Sequence, residues 1–225
     1  MFTVTWVISI SLLLFSFFGI IIAAKLFAKP VDSYKVSFMR MFPFEMAKTT
    51  ENHDIFYRFS TYLFSGLCFS PILIIVEGSS KLANLNPLSI LIACILGLAG
   101  LCFVFLNVFD VTHVKPHLAI FGIFASLVLL SSILVSIRGF VSYDLFMKHG
   151  NKEVLLLIIA VLSLTPALFS LLIMSNPKLK LWARLDEVDG EYVRPRKFPL
   201  AYSEWGLLLT LFVIELLYFV QLLIK

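Results

Sequence analysis

The sequence predicts an all-α integral membrane protein: six transmembrane helices in a compact bundle, with two elaborated cytoplasmic loops. Three observations carry that expectation. Of 225 residues, 60% are hydrophobic and only 14% charged, whereas a soluble domain has roughly 45–50% apolar and about 25% charged residues. The apolar residues gather into six runs, each near or above the ~18 residues that mark a helix able to cross ~30 Å of hydrocarbon. Finally, Lys and Arg are shared unequally between alternate loops.

The runs are 2–24, 59–76, 88–109, 118–137, 154–174 and 206–224. They are read as one transmembrane domain covering residues 1–225, because helices satisfy their own backbone groups and lipid offers no substitute. No Lys or Arg precedes the first run, whereas Lys25 and Lys29 follow it. That is the reverse of a secretory signal, so the run is expected to be a retained, outside-to-inside anchor.

Loop one carries Lys25, Lys29, Lys35, Arg40, Lys48 and Arg58. Its stretch Tyr34–Met46 mixes these with Phe38, Met41, Phe42 and Phe44, a composition suited to the headgroup region. Loop five carries Lys178, Lys180, Arg184, Arg194, Arg196 and Lys197. Trp182 is expected as an interfacial anchor there, and Val188-Asp189-Gly190-Glu191 as a tight turn between short extended pieces. Pro195 and Pro199 should keep Arg194–Leu200 extended. With Lys115, thirteen of the eighteen Lys and Arg lie on the side of loops one, three and five. Cytoplasmic loops retain such residues, so both termini are expected outside the cytoplasm, in the plasma membrane. The two long loops share that face; they are expected to hug anionic lipid as positive-inside retention loops, the alternative being that they pack together there. The asymmetry also accounts for the net charge of +4, leaving no case for nucleic acid.

Within the spans, small residues at four-residue spacing, Ala93 with Gly97 and Gly122 with Ser126, suggest that spans three and four approach closely as an antiparallel hairpin. Pro166, after Thr165, should kink span five. Cys68, Cys94 and Cys102 all fall inside spans and read as small packing residues, with no disulfide framework. A three-plus-three inverted repeat is disfavoured, because the long loop falls at different places in the two halves.

Three groups of residues are candidates for function. Glu215 lies in the middle of the last run, where a charge costs several kcal/mol, roughly 2.5–3.5 on insertion scales, and so tends to mark a site. Tyr218 is one turn on, while Thr165 and the serines 131, 132 and 136 offer hydroxyls at similar depth. The bland alternative is a protonated carboxyl hydrogen-bonded to one of those hydroxyls as packing glue. The second group is Asn107, Asp110, His113 and His117, spaced to share a face if the helix continues. Carboxylate and imidazole are ligand types for zinc or iron, but the spacing matches no metal signature. The third is the polar edge of loop five, Arg194, Arg196 and Glu204.

Enzyme motifs are missing. There is no Gly-x-Ser-Gly, no paired glutamate, no phosphate loop and no dinucleotide fingerprint, and four histidines are too few for a histidine-rich lipid oxidase. The residues therefore lean away from catalysis, and no cofactor or metal is expected. They point first to a membrane subunit or accessory protein that binds lipid, a protein partner or a second copy through a basic cytoplasmic face. Two other classes stay open: a small ion- or proton-coupled transporter using Glu215, and a lipid-active enzyme around Asp110, His113 and His117.

Overall fold

The computed structural model describes residues 2–27, 37–38, 41–43, 51–77, 86–109, 114–148, 154–175, 186–188, 191–193 and 198–224. Six helical segments in it are long and apolar enough to cross a membrane: Val4–Ala24, Ile55–Val76, Pro87–Val108, Lys115–Lys148, Val154–Met174 and Pro199–Leu223. The protein is thus a multi-pass membrane protein. Span one is α1 (Phe2–Phe27). Span two is broken into α2 (Glu51–Leu67) and α3 (Pro71–Glu77). Span three is α4 (Asn86–Val108) and span four α5 (Val114–Lys148). Span five is broken into α6 (Val154–Leu162) and α7 (Leu164–Met174), and span six is α8 (Pro199–Leu223).

Both breaks have one cause and one remedy. Proline has no N–H, so Pro71 leaves the Leu67 carbonyl without its usual donor, and Pro166 does the same to Leu162. In each case the hydroxyl just before the proline donates to that carbonyl, and Leu67 O also takes the Ser70 backbone N–H at 2.9 Å. Ser70 Oγ donates to Leu67 O at 2.7 Å, and Thr165 Oγ1 donates to Leu162 O at 2.7 Å. At the second break the neighbouring helix helps: Ser136 Oγ donates to Ala160 O at 2.7 Å, and Ser132 Oγ to Ser163 O. The serines of span four thus serve the kink of span five.

Two helix boundaries differ from the sequence expectation. The last span begins at Pro199, seven residues before the run that starts at Gly206, because a proline's fixed φ and missing N–H suit the first helical position. Span four runs on from Ile137 to Lys148, so Arg138 is a residue within a helix rather than a loop cation. Asp144 and Lys148, four apart and exposed, pair at 2.6 Å on the far end of α5.

Two strands, β1 (Asp186–Val188) and β2 (Glu191–Val193), pair antiparallel with Val188 opposite Glu191. Two residues, Asp189 and Gly190, lie between them, which is the expected hairpin.

The core follows α8. Of its span, 61% is buried inside the protein, against 39–50% for the other five. Phe17 of α1 stacks flat on Phe212 of α8, ring centroids 3.9 Å apart, and leans on Phe64 of α2. Spans three and four do form a hairpin, with Phe103 against Phe124. The small residues act elsewhere, however. A Cβ on Gly97 would stand 2.1 Å from the Phe69 ring, and one on Gly100 would stand 3.1 Å from the Ser65 backbone. These glycines admit span two, not span four. Gly122 is exposed and has nothing within 4 Å of where its Cβ would be, and Ser126 is likewise exposed. The period of small residues was right for a close approach, but the partner was the other neighbour.

Gly139 marks a further close approach, since a Cβ there would lie 2.8 Å from Ala160 Cβ and 2.8 Å from Gln221 Nε2. Gly139→Leu is expected to destabilise the protein by about 1–3 kcal/mol through overpacking, whereas Gly122→Leu should change little. Thermal unfolding of the two variants in the same detergent checks the contrast, and equal stabilities would refute it.

Candidate functional site

Two polar clusters hang on α8, one near each end. The end of the bundle where α1 finishes and α2, α5 and α8 begin carries loops one, three and five. There, Glu204 in the second turn of α8 meets His117 in the first turns of α5, Nε2 to Oε1 at 2.6 Å, both side chains 1% exposed. The other ring nitrogen, Nδ1, lies 2.6 Å from the Phe109 carbonyl. A carbonyl only accepts, so Nδ1 carries a hydrogen, and a single proton is shared between Nε2 and Oε1. The pair is neutral as a unit, which is how two ionisable groups are tolerated away from water.

Loop one is laid over this pair. Phe42 meets the His117 ring edge-on at 5.6 Å and the Phe198 ring at 5.3 Å. Trp205 Nε1 donates to Met41 O at 3.0 Å, and Phe38 packs edge-on against the Trp205 ring. The described part of loop one thus packs on the approach to span six through Phe38, Met41 and Phe42. Beside it, Tyr57 of α2 donates to Asn107 Oδ1 at 2.7 Å, while Asn107 Nδ2 donates to Phe103 O at 2.6 Å.

α4 ends at Val108, and the face that Asn107 is expected to share with Asp110 and His113 lies outside the described residues beyond Phe109. Asn107 is tied to span two, and His117 has turned to Glu204, a residue 87 positions away. Pro116 sits within the first turn of α5, where its missing N–H costs nothing. Asp110, His113, Arg194 and Arg196 lie outside the described residues. Among the described residues no group of three or more His, Cys, Asp or Glu could hold a metal ion.

The second cluster is deeper. Glu215 is fully buried, and neither carboxyl oxygen has a hydrogen-bond partner. Because α8 starts at Pro199, the residue lies eight positions from the helix's last residue, Leu223, a rise of about 12 Å. It is inside the span but off centre, toward the end that bears the termini. None of the expected hydroxyls reaches it. Ser132 and Ser136 serve span five, Thr165 is exposed and bonded to Leu162 O, and Tyr218 donates to Ser89 O at 2.6 Å. Glu215 is therefore not hydrogen-bonded glue.

Its neighbours were not all foreseen. Tyr218 and Gln221 follow at three-residue steps on the same face of α8. Arg138 of α5, 4% exposed, lies 5.7 Å over the Tyr218 ring; its Nε donates to Ser89 Oγ at 2.8 Å and its Nη1 to Gln221 Oε1 at 3.2 Å. Gln221 Nε2 in turn donates to Val135 O at 2.9 Å. No carboxylate pairs with this guanidinium among the described residues. An unmatched arginine within a span is held instead by a ring face and neutral acceptors.

Removing one member of the His117–Glu204 pair takes from the other, buried member its hydrogen bond at 2.6 Å. Glu204→Ala is expected to cost about 3–5 kcal/mol, and His117→Leu with Glu204→Leu together less than either change alone; chemical unfolding in mixed micelles measures both, and a double variant as weak as the sum of the singles would contradict the pairing. Comparison with protein-family models, curated proteins and solved structures found no match, which leaves the chemistry of these two clusters as the guide to function.

Proposed function

We propose that the protein is a non-catalytic subunit or accessory protein of the plasma membrane, which binds anionic lipid or a protein partner at the end carrying loops one, three and five. The observation that carries it is the seating of the loop-one segment on the start of α8, through Met41, Phe42 and Trp205. A loop anchored in this way is a built surface. It lies at the end of the bundle where the sequence concentrates its cations, and each Lys or Arg near an anionic bilayer surface adds about 1 kcal/mol. By the positive-inside rule this end faces the cytoplasm.

Neutralising Arg194, Arg196 and Lys197 together is expected to weaken retention of phosphatidylglycerol or phosphatidylserine by roughly 3 kcal/mol, or about a hundredfold, leaving phosphatidylcholine unaffected. Native mass spectrometry of the purified protein with defined lipids reads this directly. Equal loss for both lipid classes would exclude an electrostatic face. In intact cells, a Cys introduced beside Lys225 should be labelled by an impermeant maleimide and one beside Arg194 should not; the opposite pattern inverts the topology.

A second function, in a small proton- or ion-coupled transporter, is favoured by one observation: the buried Glu215 carboxyl without a partner. Buried polar groups are normally satisfied, so an exception calls for a ligand. Glu215→Gln keeps the shape and removes the charge. Selective loss of function at normal abundance supports coupling through this residue, and normal function removes it.

A further inference from the structure

At the end of the bundle that carries the termini, α4, α5 and α8 meet on one guanidinium. Arg138 of α5 is 4% exposed; its Nε donates to Ser89 Oγ of α4 at 2.8 Å, its Nη1 to Gln221 Oε1 of α8 at 3.2 Å, and its ring neighbour is Tyr218. A guanidinium offers donors on all three nitrogens. Here Nη2, which stands between the two engaged nitrogens, donates to no group among the described residues and is not sealed off from the exterior. Ser89 lies within a turn of the start of α4, and Gln221 within a turn of the end of α8. The cluster therefore sits where ~30 Å of hydrocarbon gives way to headgroups.

The same place is the N-terminus of α4, a helix of 23 residues with no acidic residue in its first turn. Its first N–H groups have no acceptor inside the helix, and the helix dipole adds positive partial charge there. Ser89 joins the two features: its oxygen accepts from Arg138, which leaves its hydroxyl hydrogen to donate. The buried carboxyls do not supply a counter-charge, since Glu204 is bonded to His117 and Glu215 makes no hydrogen bond. A tie between α4 and α8 needs no charge, because a neutral amide or hydroxyl donor makes such contacts without burying an ion. A cation kept within a span, with an open donor beside a helix start, marks a site for an anion.

We propose that Arg138, Ser89 and the start of α4 form a binding site for an oxyanion of the phosphate type, entered from the leaflet at the terminus-bearing end. Nη2, the Ser89 hydroxyl and the first-turn N–H groups donate to its oxygens, the geometry for which arginine is suited. Tyr218 and Gln221 hold the guanidinium in place. The ligand chemistry is a phosphate group, esterified in a lipid headgroup or free in water. This site lies at the opposite end from the basic surface proposed above and does not rest on it.

Thermal unfolding and native mass spectrometry of the full chain in neutral detergent test this with inorganic phosphate against chloride at equal ionic strength, with phosphatidic acid, and with diacylglycerol, which has the same tails and no phosphate. Ser89→Asp sets a carboxylate beside the guanidinium at a helix start, where an acid is favoured, so it fills the site from within and keeps the fold. Phosphatidic acid should stabilise the wild type and diacylglycerol should not. Ser89→Asp and Arg138→Gln should each bind phosphatidic acid about tenfold to a hundredfold more weakly, as expected for loss of a charge-assisted hydrogen bond. Stabilisation by inorganic phosphate as well identifies a free oxyanion as ligand, and a response to phosphatidic acid alone identifies a lipid headgroup. If Arg138→Gln does not fold, Ser89→Asp decides. A wild type that responds to neither phosphate probe overturns the site. So does a response that survives unchanged in Ser89→Asp, which would move anion binding to the loop-bearing end.

Discussion

A lipid bilayer has no hydrogen bond to offer a broken helix, and that constraint decides where this protein spends its hydroxyls. Each proline inside a span takes the usual N–H donor from the carbonyl four residues back, and an unsatisfied group in hydrocarbon costs several kcal/mol. In both spans the residue before the proline, Ser70 or Thr165, donates its hydroxyl to that carbonyl, and at the first break the Ser70 backbone N–H does so too. With the backbone made whole locally, two of six spans can bend without breaching the rule that only self-satisfied helices cross. The bends let spans two and five close around α8, the helix with the largest buried share.

An enclosed helix has its side chains where lipid cannot reach, so it can carry polar groups the outer helices cannot. α8 bears Glu204, Glu215, Tyr218 and Gln221 among its buried residues. Each end treats its charge differently. Glu204 is matched by His117 within hydrogen-bonding distance, and loop one covers the pair with aromatic rings. Glu215 has no such match. The first arrangement is a clasp that fixes α5 against α8; the second leaves a buried carboxyl with no hydrogen-bond partner.

Some of this was legible in the residues themselves. Periodicity and length give the spans, because a helix in lipid needs an unbroken apolar run. Pro166 gave the kink because a missing N–H is a local fact, and Asp189-Gly190 gave the hairpin because turn chemistry is local too. What escaped was tertiary. His117 and Glu204 could be named as polar residues of interest, but not paired across 87 positions. Arg138 looked like a loop cation because a charge ends an apolar run on paper; in the bundle its long side chain finds Tyr218 and Gln221 on another span and the helix continues past it. Pro199 was taken to prolong an extended segment, although the same fixed φ that resists a helix interior suits a helix start. That the hydroxyls of Thr61 and Ser65 are buried without a hydrogen-bond partner could not be foreseen at all, since having no partner is a property of the packed structure.

Arg138 and Glu215 are both buried within the spans, yet they are not hydrogen-bonded to each other. Were the two in contact, they would form a hydrogen-bonded ion pair, and a buried pair is costly to disrupt from either side. Such a carboxylate would be fixed in its ionised form. Placing Tyr218 alongside the guanidinium, with the phenol hydroxyl engaged by Ser89 O, keeps the cation satisfied by other means. The guanidinium is thus held by Ser89, Gln221 and the Tyr218 ring and not by Glu215, whose two oxygens have no hydrogen-bond partner. A carboxyl arranged for structure alone would gain from a hydrogen bond there, since a buried group left unsatisfied costs about 1–3 kcal/mol.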